Sequence, residues 1–242
     1  MSAQSNQKPP SVKKLAVVTG GTQGIGKALV NRFLREDWLI ATCARSQIGL
    51  DQLAEEQGGA GIFSTVADLS NRAGISTFSS FVESLPHVPE VLVHNTGVFL
   101  PGGILDEPDD QLETMMNTNL YSAYHLSRAL VPAMIAQGRG HIFNVASIAS
   151  LVGYPSGGSY AITKHAQLGL SRALREELKP KGIRVTAVMP GAVHTRSWDG
   201  LEIAEERFMK PEDIAETIWS AYSLSDRTVV EEIILRPQLG DV

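Results

Sequence analysis

The stretch from Leu15 to Leu34, LAVVTGGTQGIGKALVNRFL, constrains the fold more than any other part of the chain. An apolar run ends in a glycine-rich turn, and apolar residues then recur at helical spacing. That change of period predicts a strand, a tight turn and a helix in succession. Glycines at Gly20, Gly24 and Gly26 permit the turn, let the backbone approach a ligand and let helix pack closely on strand. The helix N-terminus then offers free N–H groups and partial positive charge to an anion such as a pyrophosphate. The spacing is G-x-x-x-G-x-G rather than the generic G-x-G-x-x-G, so a purely structural turn is the competing reading. The strand before it and the helix after it favour a dinucleotide.

The same alternation continues. Further strands are expected at 38–45, 61–68, 91–97, 141–147, 183–191 and 228–237, and helices at 24–37, 47–57, 71–84, from Pro108 toward Gly138, and at 158–179. The strands read as near-continuous apolar runs, as they do when helices cover both faces of a sheet. The prediction is an α/β chain with a doubly wound, Rossmann-type parallel sheet of about seven strands. A length of 242 residues suits one domain, placed at 13–242 after a flexible tail at 1–12. A net charge of −5 gives no footing for nucleic acid. No run of about 18 apolar residues offers a membrane span. The single cysteine, Cys43, excludes an internal disulfide and, with a polar N-terminus, points to the cytoplasm.

Two positions bear on the cofactor. An acid ending the second strand would hold a ribose 2′-hydroxyl and favour NAD(H). This chain has Arg45 and Ser46 there, and a guanidinium forks onto a phosphate, so NADP(H) is favoured over NAD(H). The alternative is that Arg45 is a solvated charge. Asp68, ending the third strand, is placed either to accept from an adenine amino group or to cap the helix that begins near Asn71.

Tyr160 and Lys164 stand four residues apart, 13 and 17 residues after Ser147. Positions i and i+4 share a helix face. Bringing a tyrosine from its ordinary pKa of ~10 toward 7 needs ~4 kcal/mol of phenolate stabilisation. An ammonium about 4 Å away supplies a similar amount at an effective dielectric near 20. The pair with a Ser147 hydroxyl suits proton transfer to and from an alcohol oxygen. Tyr-x-x-x-Lys alone is weak evidence, since a half-buried tyrosine beside a solvated lysine satisfies it. The convergence of Gly20, Arg45, Asn95, Ser147 and Gly191 on strand carboxyl ends strengthens it, because ligands of open α/β sheets bind there.

With TGGTQGIG, the HNTG at 94–97, NTNL at 117–120, the Ser147/Tyr160/Lys164 set and PGAVHT at 190–195, the chain resembles the short-chain dehydrogenase/reductase family over residues 13–237. The resemblance implies hydride transfer between a nicotinamide and a carbonyl or secondary alcohol, a small-molecule carbonyl substrate, and a homodimer or homotetramer built through helices near 108–137 and 158–179. It carries a catalytic tetrad onto Asn119, Ser147, Tyr160 and Lys164, with the asparagine holding a water that relays protons to the lysine. Cofactor contacts are implied at Gly20, Thr22, Gln23, Gly24, Ile25, Gly26, Arg45, Ser46, Asp68, Leu69, Asn95, Gly97, Tyr160, Lys164, Pro190, Gly191, Val193 and Thr195. In this pattern Asn95 and Gly97 support the central strand and the adenosine side. Thr96 replaces the family's usual alanine, and Gln23 stands where many NADP-preferring members carry a basic residue.

A narrower resemblance covers SWDG at 197–200, MKPEDIA at 209–215 and TVVEEIILRPQLGD at 228–241, which look like bacterial sepiapterin reductases. It implies reduction of pterin side-chain carbonyls, with Phe99, Tyr154 and Trp198 facing substrate and Asp241 pairing with the ring's amino edge. A generic ketone or aldehyde is the favoured alternative. A dinucleotide-binding sensor without turnover is the alternative of another class.

Overall fold

A computed structural model describes residues 13–198, 200 and 202–242. The proposed tail at 1–12 lies outside the described residues. Seven strands form one sheet: β1 Leu15–Thr19, β2 Leu39–Ala44, β3 Ile62–Val66, β4 Pro89–His94, β5 Gly140–Val145, β6 Ile183–Pro190 and β7 Glu232–Leu235. All neighbours pair in parallel in the order β3-β2-β1-β4-β5-β6-β7. The helices are α1 Gly24–Leu34, α2 Gln47–Glu56, α3 Arg72–Glu83, α4 Gln111–Met115, α5 Ser122–Gln137, α6 Gly158–Leu178 and α7 Pro211–Tyr222.

The pleat of β1 explains why both sheet faces must be covered. Leu15 and Val17 join one apolar cluster with Phe78 of α3, Leu126 of α5 and Leu178 of α6. Ala16 and Val18 join another with Phe33 of α1 and Ile214 and Ile218 of α7. A strand buried on both faces has no polar side to show, which is why the central runs are apolar throughout. The edge strands β3 and β7 are only partly buried and more mixed in composition.

Two features depart from the sequence reading. No helix was expected between the sixth and seventh strands, yet α7 lies there, with Pro211 in its first turn and the Lys210 N–H donating to Asp213 Oδ2 at 3.4 Å. The long helix expected after Pro108 starts at Gln111 and is interrupted by a π-helical turn, Met116–Tyr121, between α4 and α5. The chain leaves β1 toward β2 and β3, then returns to β4 on the other side of β1. This reversal opens the crevice where such folds bind ligands.

Candidate active site

The glycine turn sits at the mouth of that crevice. Gly20 has φ of 68° and Gly24 of 50°, both in the left-handed region that favours glycine. A Cβ on Gly26 would collide with the Gly20 carbonyl oxygen and lie 2.6 Å from Asn95 Nδ2. Asn95 ties β4 to the turn, donating from Nδ2 to Thr19 O at 2.9 Å and to Gly20 O at 3.4 Å. The backbone N–H groups of Asn95 and Thr96 both donate to Thr19 Oγ1 at 2.9 Å. Thr96 fits beside the turn, its Oγ1 3.2 Å from where a Gly20 Cβ would be. Across the opening, Thr195 Cγ2 lies 3.0 Å from the Cβ position of Gly24, so the segment after β6 reaches over the glycine turn.

At the far end of β2, Arg45 and Ser46 are exposed. Asp68 Oδ1 accepts from the Ser70 N–H at 3.0 Å, and that bond, with Arg45 nearby as a weaker influence, holds its carboxyl below the usual range. The cap of α3 is Asn71, whose Oδ1 accepts from Gly74 N at 2.9 Å. Of the two readings of Asp68, the helix cap is therefore excluded.

The residues expected to carry acid–base work come together from three elements. Ser147 follows β5 and is 9 % exposed, its Oγ accepting from Ala149 N at 3.1 Å. Tyr160 and Lys164 lie on the first turns of α6, with Lys164 Nζ 5.6 Å from the centroid of the Tyr160 ring. Lys164 is buried and donates to Val145 O at 3.2 Å and Gln167 Oε1 at 3.0 Å. Asn119, in the π turn, is fully buried. Its Oδ1 accepts from Val98 N at 2.7 Å, and its Nδ2 donates to Val98 O and Thr163 Oγ1, both at 3.0 Å. Its amide therefore braces the loop after β4 against α6. π turns recur at functional sites, where the extra residue re-aims the backbone.

One electrostatic expectation is reversed. Burial pushes the Tyr160 phenol up to about 12, offset in part by the Ser147 hydroxyl and reinforced by the nearby Tyr154. Burial also pulls the Lys164 amine down to about 7. The ammonium is spent on Val145 and Gln167 rather than on the phenol, so in this state it does not lower the tyrosine. Gly97 is also reassigned. A Cβ there would lie 3.3 Å from Asn119 Oδ1 and 3.7 Å from Lys164 Nζ, which puts Gly97 beside the acid–base set rather than on the adenosine side.

Around Tyr160 stand aromatic groups. Phe99 meets it edge-on, with ring centroids 4.9 Å apart at 73°. Tyr154 is 41 % exposed, and burial of the rest holds its phenol above the ordinary value. Trp198 packs on Phe208, with ring centroids 5.2 Å apart. Asp241 Oδ1 lies 2.7 Å from the Cβ position of Gly191, while Oδ2 pairs with Arg236. Gly191 N donates to Leu235 O at 2.8 Å, joining the end of β6 to β7.

Residues 14–206 match the family model for short chain dehydrogenases. The chain belongs to that family. It is 33 % identical to a sepiapterin reductase of Chlorobaculum tepidum, over 96 % of this chain and 99 % of that one. An alcohol dehydrogenase from the archaeon Thermococcus sibiricus, solved with 5-hydroxy-NADP, superposes with a TM-score of 0.88 at 28 % identity, covering 96 % of this chain and 99 % of that one. A metagenomic short-chain oxidoreductase solved with NADP gives 0.81 at 31 % identity, covering 93 % and 97 %.

This short-chain dehydrogenase also uses residues that motif reading passed over. Thr42 Oγ1 accepts from Gly21 N at 3.1 Å and donates to Val18 O at 2.7 Å, pinning the turn from the middle of β2. A hydroxyl within an otherwise apolar strand was the available signal. Thr163 accepts from Asn119 while donating to Tyr160 O at 2.8 Å, and so links two of the four residues of the expected tetrad. Glu107 bonds to the Ser159 hydroxyl and accepts from Gln111 Nε2 at 3.0 Å, fastening the loop before α4 to the start of α6.

Proposed function

We propose that this short-chain dehydrogenase is an NADP(H)-dependent oxidoreductase that interconverts a carbonyl and a secondary alcohol, with Tyr160 as acid and base. The observation that carries the reading is the meeting of Ser147, Tyr160 and Lys164 past the end of β5, with Gly97 beside Lys164 in the segment whose Asn95 ties to the glycine turn. The crevice suits a dinucleotide. Side chains are excluded where Gly26 meets Gly20, and the start of α1 leaves free N–H groups for a pyrophosphate. Gly20, Thr22, Gln23, Gly24, Ile25 and Gly26 would line the phosphates, and Arg45 and Ser46 would meet a 2′-phosphate. Asp68, Leu69 and Asn95 would line the adenosine, and Pro190, Gly191, Val193 and Thr195 the nicotinamide. The 5-hydroxy-NADP and the NADP held by two of the similar structures support that preference.

When bound, NADPH supplies the hydride. The chain's own groups handle the proton. A phenol held near 12 stays protonated at neutral pH, which is the form a proton donor to a carbonyl oxygen requires. The Ser147 hydroxyl, next to it, holds the same oxygen as charge grows there. A buried Lys164 of pKa about 7 carries a proton near neutrality and can pass it on with little driving force lost. In the oxidative direction the phenolate is needed, and the charge of oxidised nicotinamide then favours it.

A pterin substrate is the second reading. The likeness to a sepiapterin reductase and the Asp241 carboxylate against Gly191 favour it. Phe99 and Tyr154 would flank the side-chain carbonyl, and Trp198 would close the outer wall. Self-association through the π turn, α5 and α6 is supported by Tyr121, Tyr124 and Ile162, which expose between 40 % and 44 % of their surface there. The test is NADPH oxidation against sepiapterin, diketones, aldehydes and ketosteroids. Sepiapterin turnover supports the pterin reading. Turnover of simple carbonyls alone leaves the general one. Tight NADPH binding with no oxidation across the panel would leave a sensor.

A further inference from the structure

Lys164 has two partners on the protein, and one of them is a side chain. Gln167 lies one turn further along α6, fully buried, and its Oε1 accepts from Lys164 Nζ at 3.0 Å. An ammonium only donates, so the amide must turn its oxygen toward it and its nitrogen away. Gln167 Nε2 then finds no acceptor among the described residues. A buried donor left unpaired is destabilising, whereas an apolar side chain of the same size would pack there without that cost. The polar residue is therefore explained by its contact with Lys164 and not by packing. Its backbone is fixed as well: Ser171 Oγ donates to Gln167 O at 2.9 Å and accepts from Asn144 Nδ2 at 2.8 Å, linking this turn of α6 to β5.

We propose that Gln167 is a positioning residue that holds the Lys164 ammonium at the crevice, ready for the sugar hydroxyls of a bound nicotinamide nucleotide and for proton transfer with Tyr160. Val145 O and Gln167 Oε1 take two of the three N–H donors, which fixes the direction of the third. The crevice side of Nζ is kept open by Gly97, whose missing side chain would lie 3.7 Å away. From other elements, the Val145 carbonyl of β5 bonds to Nζ and Gly97 of the loop after β4 lies beside it, both uncharged. Among the described residues, Tyr160 on α6 itself is the titratable group near Nζ, and no charged side chain offsets the burial that pulls the amine down. Among the described residues, the Gln167 oxygen is thus the one side-chain acceptor bonded to the ammonium, and it favours the charged form.

The inference rests on Lys164 belonging to the acid–base set, but its test needs no substrate. Lysine labelled with ¹³C at Cε is followed by NMR across pH, and the Lys164 signal is identified as the one missing from Lys164→Met. Gln167→Leu removes the acceptor, so the Lys164 midpoint should fall by about one pH unit, the scale expected for one hydrogen bond to a charged group. Gln167→Glu places a carboxylate at the same atom, so the midpoint should rise. In turnover, Gln167→Leu should raise KM for NADPH severalfold and move the alkaline limb of the pH profile down with the NMR midpoint. If Gln167→Leu does not fold, Gln167→Glu decides alone: a raised midpoint supports the proposal. A midpoint unmoved in the folded variants overturns it, whichever carbonyl the enzyme uses.

Discussion

Replacing Asn119 by alanine separates a bracing role from a chemical one. The side chain makes three hydrogen bonds of 2.7–3.0 Å, two to the Val98 backbone and one to Thr163. Thr163 keeps its bond to Tyr160 O after the change, but the Val98 N–H and C=O both lose their side-chain partner. An unsatisfied buried group costs about 1–3 kcal/mol, and Val98 is half-buried, so the two together should cost about 2–4 kcal/mol. Thr163→Val removes the bond from Asn119 and the bond to Tyr160 O together and should cost about 1–3 kcal/mol. Urea unfolding followed by circular dichroism reads both values, with a lower midpoint and an unchanged slope expected. NADPH binding should weaken alongside, because Asn119 Oδ1 and Lys164 Nζ both pack on Gly97. A loss of turnover with stability changed by less than about 0.5 kcal/mol, the range of ordinary surface substitutions, would refute the brace.

Arg45→Ala should narrow the preference for NADPH over NADH by weakening NADPH alone, by roughly 1.5–3 kcal/mol for a lost bond to a charged phosphate; unchanged discrimination would move the phosphate contact elsewhere. In the reductive direction kcat/KM for NADPH should fall as pH rises through about 7, because Lys164 loses its proton there while Tyr160 keeps its own up to about 12. An alkaline limb only near pH 10 would contradict that assignment. The unfolded chain holds the lysine proton up to about 10.5 and the folded chain only to about 7, so this group's contribution to stability should rise with pH across that window in wild type and be flat in Lys164→Met. If sepiapterin is a substrate, Asp241→Ala should raise its KM while sparing a simple diketone; an equal effect on both would show that the Arg236–Asp241 pair merely shapes the end of the chain.

The sheet was legible because its central strands are buried on both faces, and that burial writes itself as continuous apolar runs. Strand order was not written in any single run; it follows from the return of the chain across β1. Helix α7 had readable signals, with Ile214, Ala215, Ile218 and Ala221 buried at helical spacing behind Pro211. The π turn carried no local signal. It is held by bonds from Asn119 to residues 21 and 44 positions away, which no window of sequence contains. The Tyr160–Lys164 pairing was readable from helical spacing. Gln167, three residues along α6, was readable by the same spacing; the Val145 carbonyl on β5 was not, and neither was the burial that pushes the tyrosine up.

The central claim is that Tyr160 gives the proton to a substrate oxygen beside the nicotinamide. Tyr160→Phe keeps the ring, and with it the edge-on contact to Phe99, and removes only the hydroxyl. The decisive measurement is single-turnover NADPH oxidation by this variant on a carbonyl that the wild-type enzyme reduces, with NADPH affinity followed by fluorescence in the same samples. A rate lower by about 10²–10⁴-fold with affinity nearly unchanged is the predicted result. A rate close to wild type would contradict the claim.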